Sequence, residues 1–246
     1  MRFLSCIPIK VKEKRSAFNL INSLKYELLR KIKLKDGDIL AISGKYISLS
    51  EKRFYKLEYV KSILINDPYQ EIVIRESTIA WKSLPGLLLS IAYNILCPNS
   101  GIDRSNVKPG SVMLYVSNPN KKAEVIRLTV LLHRDVYIGV IIVDSRIYPL
   151  RRGTVGIAIG CAGIKSITDE RGKLDIFNRK LKMTKKSIVD NLASTAQLFM
   201  GEANECIPFV IIRGLDQYVE FKNNNYNLYV NPDSCIFLRA LKSKPF

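Results

Sequence analysis

Histidine is nearly missing from this chain. Of 246 residues only His133 carries an imidazole, and there is a single tryptophan. A Ser-His-Asp relay or a histidine-bound metal therefore has little to draw on. His133 sits at the end of a predicted helix beside Arg134, where a histidine favours the helix dipole. Cysteine is also sparse: Cys6, Cys97, Cys161, Cys206 and Cys235 are odd in number, scattered, and form no C-x-x-C pair. That pattern argues against a disulfide framework and a zinc ribbon, and reads each thiol as a small buried hydrophobe. No apolar run approaches the ~20 residues that span a bilayer. The longest, Pro85 to Leu96, is interrupted by Ser90, Tyr93 and Asn94. The opening from Met1 to Pro8 is too short for a signal peptide. A soluble cytoplasmic protein, with no membrane partner, is the simplest expectation. Neither G-x-G-x-x-G nor a P-loop is present, so neither standard nucleotide fold is supported.

Positive charge is abundant. The chain has 39 basic and 22 acidic residues, a net charge of +17. This sign favours polyanions such as nucleotides, phosphorylated metabolites, nucleic acid or an anionic surface, without choosing among them. The plainer reading is a solvated, lysine-rich surface of the kind thermophiles carry. The length and a hydrophobic content of 47% suffice for one domain over residues 1–246, built as a single body or as two intertwined lobes.

Apolar periodicity predicts an amphipathic helix from Ser16 to Ile32, with Phe18, Ile21, Leu24, Leu28, Leu29 and Ile32 on one face. Asp36-Gly37-Asp38 is a turn signal. Strands are expected at Ile39 to Ser43, Leu57 to Ile65, Ser111 to Val116, Val136 to Val143, Val155 to Ile159 and Ile207 to Ile212, and a strand or hairpin at Leu87 to Leu96. Asp67-Pro68 opens a helix running to Glu76, and Asn118-Pro119 one running to about Leu132. Ser187 to Met200 is a third, with Ile188, Leu192, Thr195, Ala196 and Phe199 on one face. Helices and strands mix without a strict βαβ rhythm, so the fold class is α+β.

Two stretches place a carboxylate among small polar groups: Gly101-Ile102-Asp103-Arg104-Ser105-Asn106-Val107 and Val143-Asp144-Ser145. Such carboxylates hold hard divalent metals against phosphates. The competing reading of each is turn capping by a short acid. The first stretch, extended back to Cys97-Pro98-Asn99-Ser100, resembles the C-A-N-A-G-I-D-R-S-N-V motif of the coenzyme F-420-0:L-glutamate ligases of archaea and bacteria. Four further blocks follow in that family's order. They are Asp144-Ser145 with Pro149-Leu150-Arg151, Ala158 to Ile164, Asp190 to Ala193 through Met200-Gly201-Glu202-Ala203, and Pro208 to Leu215. The chain is similar to a divergent archaeal-type member.

The resemblance implies a ligase-like fold and an amide bond made between L-glutamate and a phosphorylated deazaflavin acid. It implies GTP as co-substrate, an acyl phosphate, two Mg2+ or Mn2+ ions per site, an auxiliary K+, and a homodimer; nucleic acid is not required. Asp103 and Asp144 match the ligands of one metal, and Ser145 and Glu202 those of the second, with Glu202 standing where the family has glutamine. Asn106, the Cys6-Ile7-Pro8-Ile9 segment read as a turn, Gly44, Lys45, and Met200, Gly201, Ala203 and Asn204 match nucleotide contacts. Arg104 and Arg151 are read as binding the anionic acid, against surface pairing.

Some positions depart from the family. Leu49 replaces a lysine, Gly156 replaces an aspartate, and Ile147-Tyr148 replaces Gly-Arg. These leave two alternatives open: a related ligase with another acid or amino acid, and a non-catalytic nucleotide- or RNA-binding relative.

Overall fold

The computed structural model describes residues 3–221 and 228–242. Among these the strands are β1 (Ser5–Ile9), β2 (Ile39–Ser43), β3 (Phe54–Lys56), β4 (Ile79–Leu84), β5 (Leu87–Ala92), β6 (Ile95–Pro98), β7 (Ser111–Met113), β8 (Gly139–Ile147), β9 (Thr154–Ala162), β10 (Ile167–Asp169), β11 (Lys185–Ser187) and β12 (Phe209–Arg213). The helices are α1 (Leu20–Ser23), α2 (Gly44–Ser50), α3 (Pro68–Arg75), α4 (Pro119–Arg134), α5 (Ile188–Met200) and α6 (Ile236–Lys242), and the class is α+β as expected. None of them is long and apolar enough to cross a membrane. The chain divides into two compact units, Met1–Arg53 with Val116–Tyr226, and Phe54–Tyr115 with Asn227–Phe246.

The first unit is built on a five-stranded sheet in the order β1-β12-β2-β8-β9. Every neighbour is antiparallel except β2 and β8, which run parallel with Ser43 opposite Val143. Ile39–Ile42, Val140–Val143 and Phe209–Ile212 are all buried, as continuous apolar runs are when both faces of a strand are covered. Helices α4 and α5 both pack against β8 and β9. β1 is an edge strand, where Pro8 costs no ladder bond. Arg213, at the end of β12, grips the buried Asp38 through two bonds of 2.7 and 2.8 Å and fixes the predicted Asp36–Asp38 turn.

Some elements start elsewhere than the periodicity suggests. The first helix begins at Leu20 because the Asn19 side chain accepts from the Asn22 N–H at 2.9 Å. It continues as a π-helical turn over Leu24–Leu29. Phe18, left outside, packs 4.6 Å from the Tyr46 ring. Phe199 is exposed, while Val189, Ala193 and Met200 complete the buried face of α5. Cys97 and Cys161 are buried, and burial pushes the Cys161 thiol up to about 12, with Asp190 adding to it. Cys6, Cys206 and Cys235 are only partly buried, and the five cysteines form no disulfide with one another.

In the second unit β4, β5 and β6 form an antiparallel meander and β3 pairs with β7. Tyr93 and Asn94, both at positive φ, make the two-residue β5–β6 hairpin turn that the right-handed strand twist favours. Asp67 caps α3 by accepting from the Tyr69 and Gln70 N–H groups, with Pro68 in first position. Tyr69, Ile72 and Val73 of α3 meet Leu88, Ile102, Val112 and Leu114 in the core.

The expected strand from Leu57 to Ile65 is instead a single 3-10 turn, Leu57–Tyr59, followed by a loop. Three of its backbone donors go to a side chain rather than to a neighbouring strand. Ile63, Leu64 and Ile65 donate their N–H groups to one oxygen of Glu71 at 3.1, 2.7 and 3.2 Å, and Arg75 holds the other at 2.9 Å. Burial alone would push this carboxyl up, but the four donors outweigh it and hold it below its ordinary value of 4.5.

A carboxyl lowered in the folded state binds fewer protons there than in the unfolded chain, so its stabilisation is complete above 4.5 and fades as pH falls further. Thermal melts from neutral pH down to about pH 3 should therefore show a loss of stability that Glu71→Gln makes shallower. An unchanged acid slope in the variant would remove Glu71 from this role.

Candidate functional site

β8 outruns its parallel neighbour. β2 ends at Ser43 and turns into α2, while β8 continues through Asp144–Ile147, paired on that stretch with β9 alone. The register between β8 and β9 shifts between Ile142 and Val143, just before this overhang. Such irregularities re-aim side chains near functional sites. From Val143 onward the ladder is regular, so side chains alternate. Asp144 and Arg146 share one face, and Ser145 lies on the other with Gly156 and Thr154, its neighbours on β9.

The Ser145 face receives α5. Gly156 lies opposite Ser145, and a Cβ built on it would sit 2.7 Å from the Ala193 carbonyl carbon and 2.9 Å from Gln197 Cβ. The missing side chain is what lets the helix backbone come this close. Ser194 Oγ donates to the Gly156 carbonyl at 2.7 Å, and the Ala158 N–H donates to Asp190 at 3.0 Å. Gly201 ends the helix at φ 72°.

The chain then returns Glu202 to the sheet. Ser145 Oγ donates to Glu202 Oε2 at 3.3 Å, and Thr154 Oγ1 to Oε1 at 3.2 Å. The Gln197 amide also donates to Oε1. Thr154 and Gln197 belong to no motif in the sequence. Their signal is spatial, through the β8–β9 register and one extra helical turn.

The structure thus brings Ser145 and Glu202 together and sets Asp144 on the opposite face. Asp144 Oδ2 is paired with Arg146 Nη1 at 2.6 Å, and Oδ1 accepts from the Ser145 N–H at 3.0 Å. Gly44 and Lys45 open α2 beside the overhang. A Cβ on Gly44 would lie 3.3 Å from the Val143 carbonyl oxygen. Leu49 is half-buried on the same helix. Met200 is buried at the end of α5, and Ala203 donates its N–H to Glu205 at 2.8 Å, with Asn204 exposed beside it. Arg151 lies on an exposed loop after β8 and donates its N–H to the Tyr148 carbonyl. Burial raises the Tyr148 phenol, and Asp190 adds to it. The segment Cys6-Ile7-Pro8-Ile9 is not a turn. It is strand β1, laddered to β12, because its alternating apolar residues suit an edge strand.

Asp103, Arg104 and Asn106 belong to the second unit. The preceding turn is pinned from within: Ser100 is buried, its N–H donating to Ser90 Oγ and its own Oγ to the Val73 carbonyl, both at 2.8 Å. Asp103 bridges to Met113 through its backbone and accepts from Ser105 N–H at 2.6 Å and Ser105 Oγ at 3.1 Å. That is the capped turn anticipated as its competing reading. Arg104 lies 4.1 Å from the Tyr69 ring centroid. Burial raises the Tyr69 phenol, while Arg104 draws it down. Asn106 is exposed, at φ 54°.

Among the described residues, no three His, Cys, Asp or Glu side chains gather into a metal cage. The Ser145–Glu202 pair still fits Mg2+ or Mn2+ in its donor chemistry. Such ions take hard oxygens, and commonly one or two carboxylates with phosphate oxygens completing the shell.

A family model described as F420-0:Gamma-glutamyl ligase matches residues 8–214. The chain belongs to this ligase family. It is 34% identical to the coenzyme F420:L-glutamate ligase of Archaeoglobus fulgidus, over 86% of this chain and 88% of that one. The same-named protein of Methanocaldococcus jannaschii is 35% identical, over 84% and 86%. That of Methanopyrus kandleri is 34% identical, over 76% and 79%.

Within the ligase family's pattern, Gly156 stood out as a departure. In this chain it is the point where α5 meets β9. Gly156→Asp should lower thermal stability by the roughly 1–3 kcal/mol typical of overpacking, read by denaturant titration. A variant as stable as the parent would show that α5 is not held at this contact.

Proposed function

We propose that this protein is a GTP- and metal-dependent ligase that joins L-glutamate to a phosphorylated deazaflavin acid through an amide bond, as a homodimer. The match to the ligase family across residues 8–214, with relatives named coenzyme F420:L-glutamate ligase, is the observation that carries this reading.

A carboxylate is a poor electrophile. Transfer of the nucleotide γ-phosphoryl to it gives an acyl phosphate, which the glutamate amine then displaces with loss of phosphate. Such transfer depends on positioning and on neutralising charge. Ser145 and Glu202 are the residues that would hold one divalent ion; Asp144, and in the second unit Asp103, are the carboxylates that the family motifs assign to metal. A bound ion would supply charge neutralisation at the phosphates. Lys45 contributes a point charge toward phosphate, and Asn106 and the Met200, Gly201, Ala203 and Asn204 stretch serve the nucleotide. The Cys6–Ile9 strand and Gly44 shape the same binding surface. Arg104 and Arg151 orient the anionic acid. K+ is an auxiliary ion of this reading.

A second reading, a related ligase with a different acid or amino acid, draws on Leu49, Gly156 and Tyr148. A half-buried leucine stands on α2 where a cation belongs in the family pattern, and a phenol stands in place of an arginine.

The test is purified protein with GTP, Mn2+, L-glutamate and the deazaflavin acid, followed by mass spectrometry and phosphate release. One glutamyl addition per phosphate released is expected. Metal-dependent GTP binding without product would favour the second reading, and absence of both would overturn the ligase assignment. Asp144→Ala should abolish metal-dependent nucleotide binding in calorimetry while leaving the circular dichroism spectrum intact. Unchanged binding would remove Asp144 from the site.

A further inference from the structure

We propose that Gln197 and Thr154 are positioning residues for Glu202: they hold one oxygen of its carboxylate so that the other, beside Ser145, takes a divalent ion. This rests on the metal-dependent reading above and deepens it by naming what orients one of the ligands. Glu202 lies on an exposed stretch just past the Gly201 turn. A glutamate in such a place has several rotatable bonds, and confining it to one conformation costs entropy that ion binding would otherwise have to meet. In this chain two neighbours confine it. The Gln197 amide and the Thr154 hydroxyl both donate to Oε1, the latter at 3.2 Å. The Gln197 amide also reaches Thr154 Oγ1 at 3.3 Å, which closes a triangle of hydrogen bonds. Its donors have one consistent assignment. A carboxylate only accepts, so Gln197 presents its NH2 and Thr154 its hydroxyl hydrogen to Oε1, and a Thr154 lone pair takes the second N–H of the amide.

Both donors are neutral. They orient the carboxylate without cancelling its charge, as a guanidinium would, so the charge remains for a cation. Both also come from regular elements, Gln197 from α5 and Thr154 from β9, which hold a side chain more firmly than a loop does. The other oxygen is placed to suit the ion. Oε2 stands 3.3 Å from Ser145 Oγ. Oxygens at right angles around Mg2+, each about 2.1 Å from it, stand about 3 Å apart. The Ser145 hydroxyl can offer a lone pair as readily as its hydrogen. Gln197 and Thr154 act through Glu202 in this scheme and are not metal ligands.

The test is Mn2+ binding by the full chain with a non-hydrolysable GTP analogue, followed by electron paramagnetic resonance of free Mn2+. Gln197→Ala keeps the Cβ that faces Gly156 and removes the amide. It should weaken Mn2+ binding about tenfold, as loss of a partner behind a metal ligand typically does. Thr154→Val should weaken it less, because one donor to Oε1 remains. Glu202→Ala should weaken it at least as much as Gln197→Ala, and adding Gln197→Ala to Glu202→Ala should cost nothing more, since the effect runs through Glu202 alone.

Equal affinity of parent and Gln197→Ala, with Glu202→Ala weak, would overturn the positioning role and leave the metal site standing. The same further loss in the Glu202→Ala background as in the parent would also overturn it. A parent that binds no Mn2+, or a Glu202→Ala variant that binds it like the parent, would overturn the positioning role together with the assignment of metal to this pair. Gln197→Met keeps the length of the side chain but cannot donate, and gives the same reading should Gln197→Ala fail to fold.

Discussion

The strand β8 cannot slip. Along Val140–Val143 it is laddered to β2 on one side and β9 on the other, and a one-residue shift would break both pairings and send every packed side chain to the opposite covered face. Fixing the register there fixes the alternation of the overhang that follows. Asp144 and Arg146 are committed to one face and Ser145 to the other. Neighbouring residues in one motif thus enter different environments: Asp144 lies against a guanidinium, and Ser145 against a second carboxylate.

What the overhang meets is decided by α5. Ser187 and Asp190 anchor the helix start to each other and to the Ala158 N–H. Gly156 then admits the helix backbone to van der Waals distance, and the positive-φ Gly201 turns the chain so that Glu202 comes back over Thr154 and Ser145. Charge follows the same economy. Glu202 is held by neutral donors, whereas Asp144 is held by a cation.

Much of this was legible in the amino-acid order. The buried runs at Ile39–Ile42 and Val140–Val143 and the Asp67-Pro68 and Asn118-Pro119 helix starts follow from local rules, because propensity and tertiary context agree there. The failures have physical causes. Leu57–Ile65 reads as a strand by composition, but the N–H groups of Ile63, Leu64 and Ile65 are taken by Glu71, a partner several residues away. Cys6–Ile9 was read as a turn through resemblance, although Pro8 and alternating apolar residues also suit the edge strand it forms. The roles of Arg146, Thr154, Gln197 and Gly156 were hidden because they arise only when the β8–β9 register and the α5 approach are known.

The most direct test of this account is diffraction from crystals soaked with Mn2+ and a non-hydrolysable GTP analogue, recorded at a wavelength where manganese scatters anomalously. The account predicts an anomalous peak within about 2.0–2.3 Å of Ser145 Oγ and a Glu202 carboxylate oxygen, the bond length hard divalent ions make to oxygen. Nucleotide bound with no manganese at that pair, or with manganese held elsewhere, would contradict it.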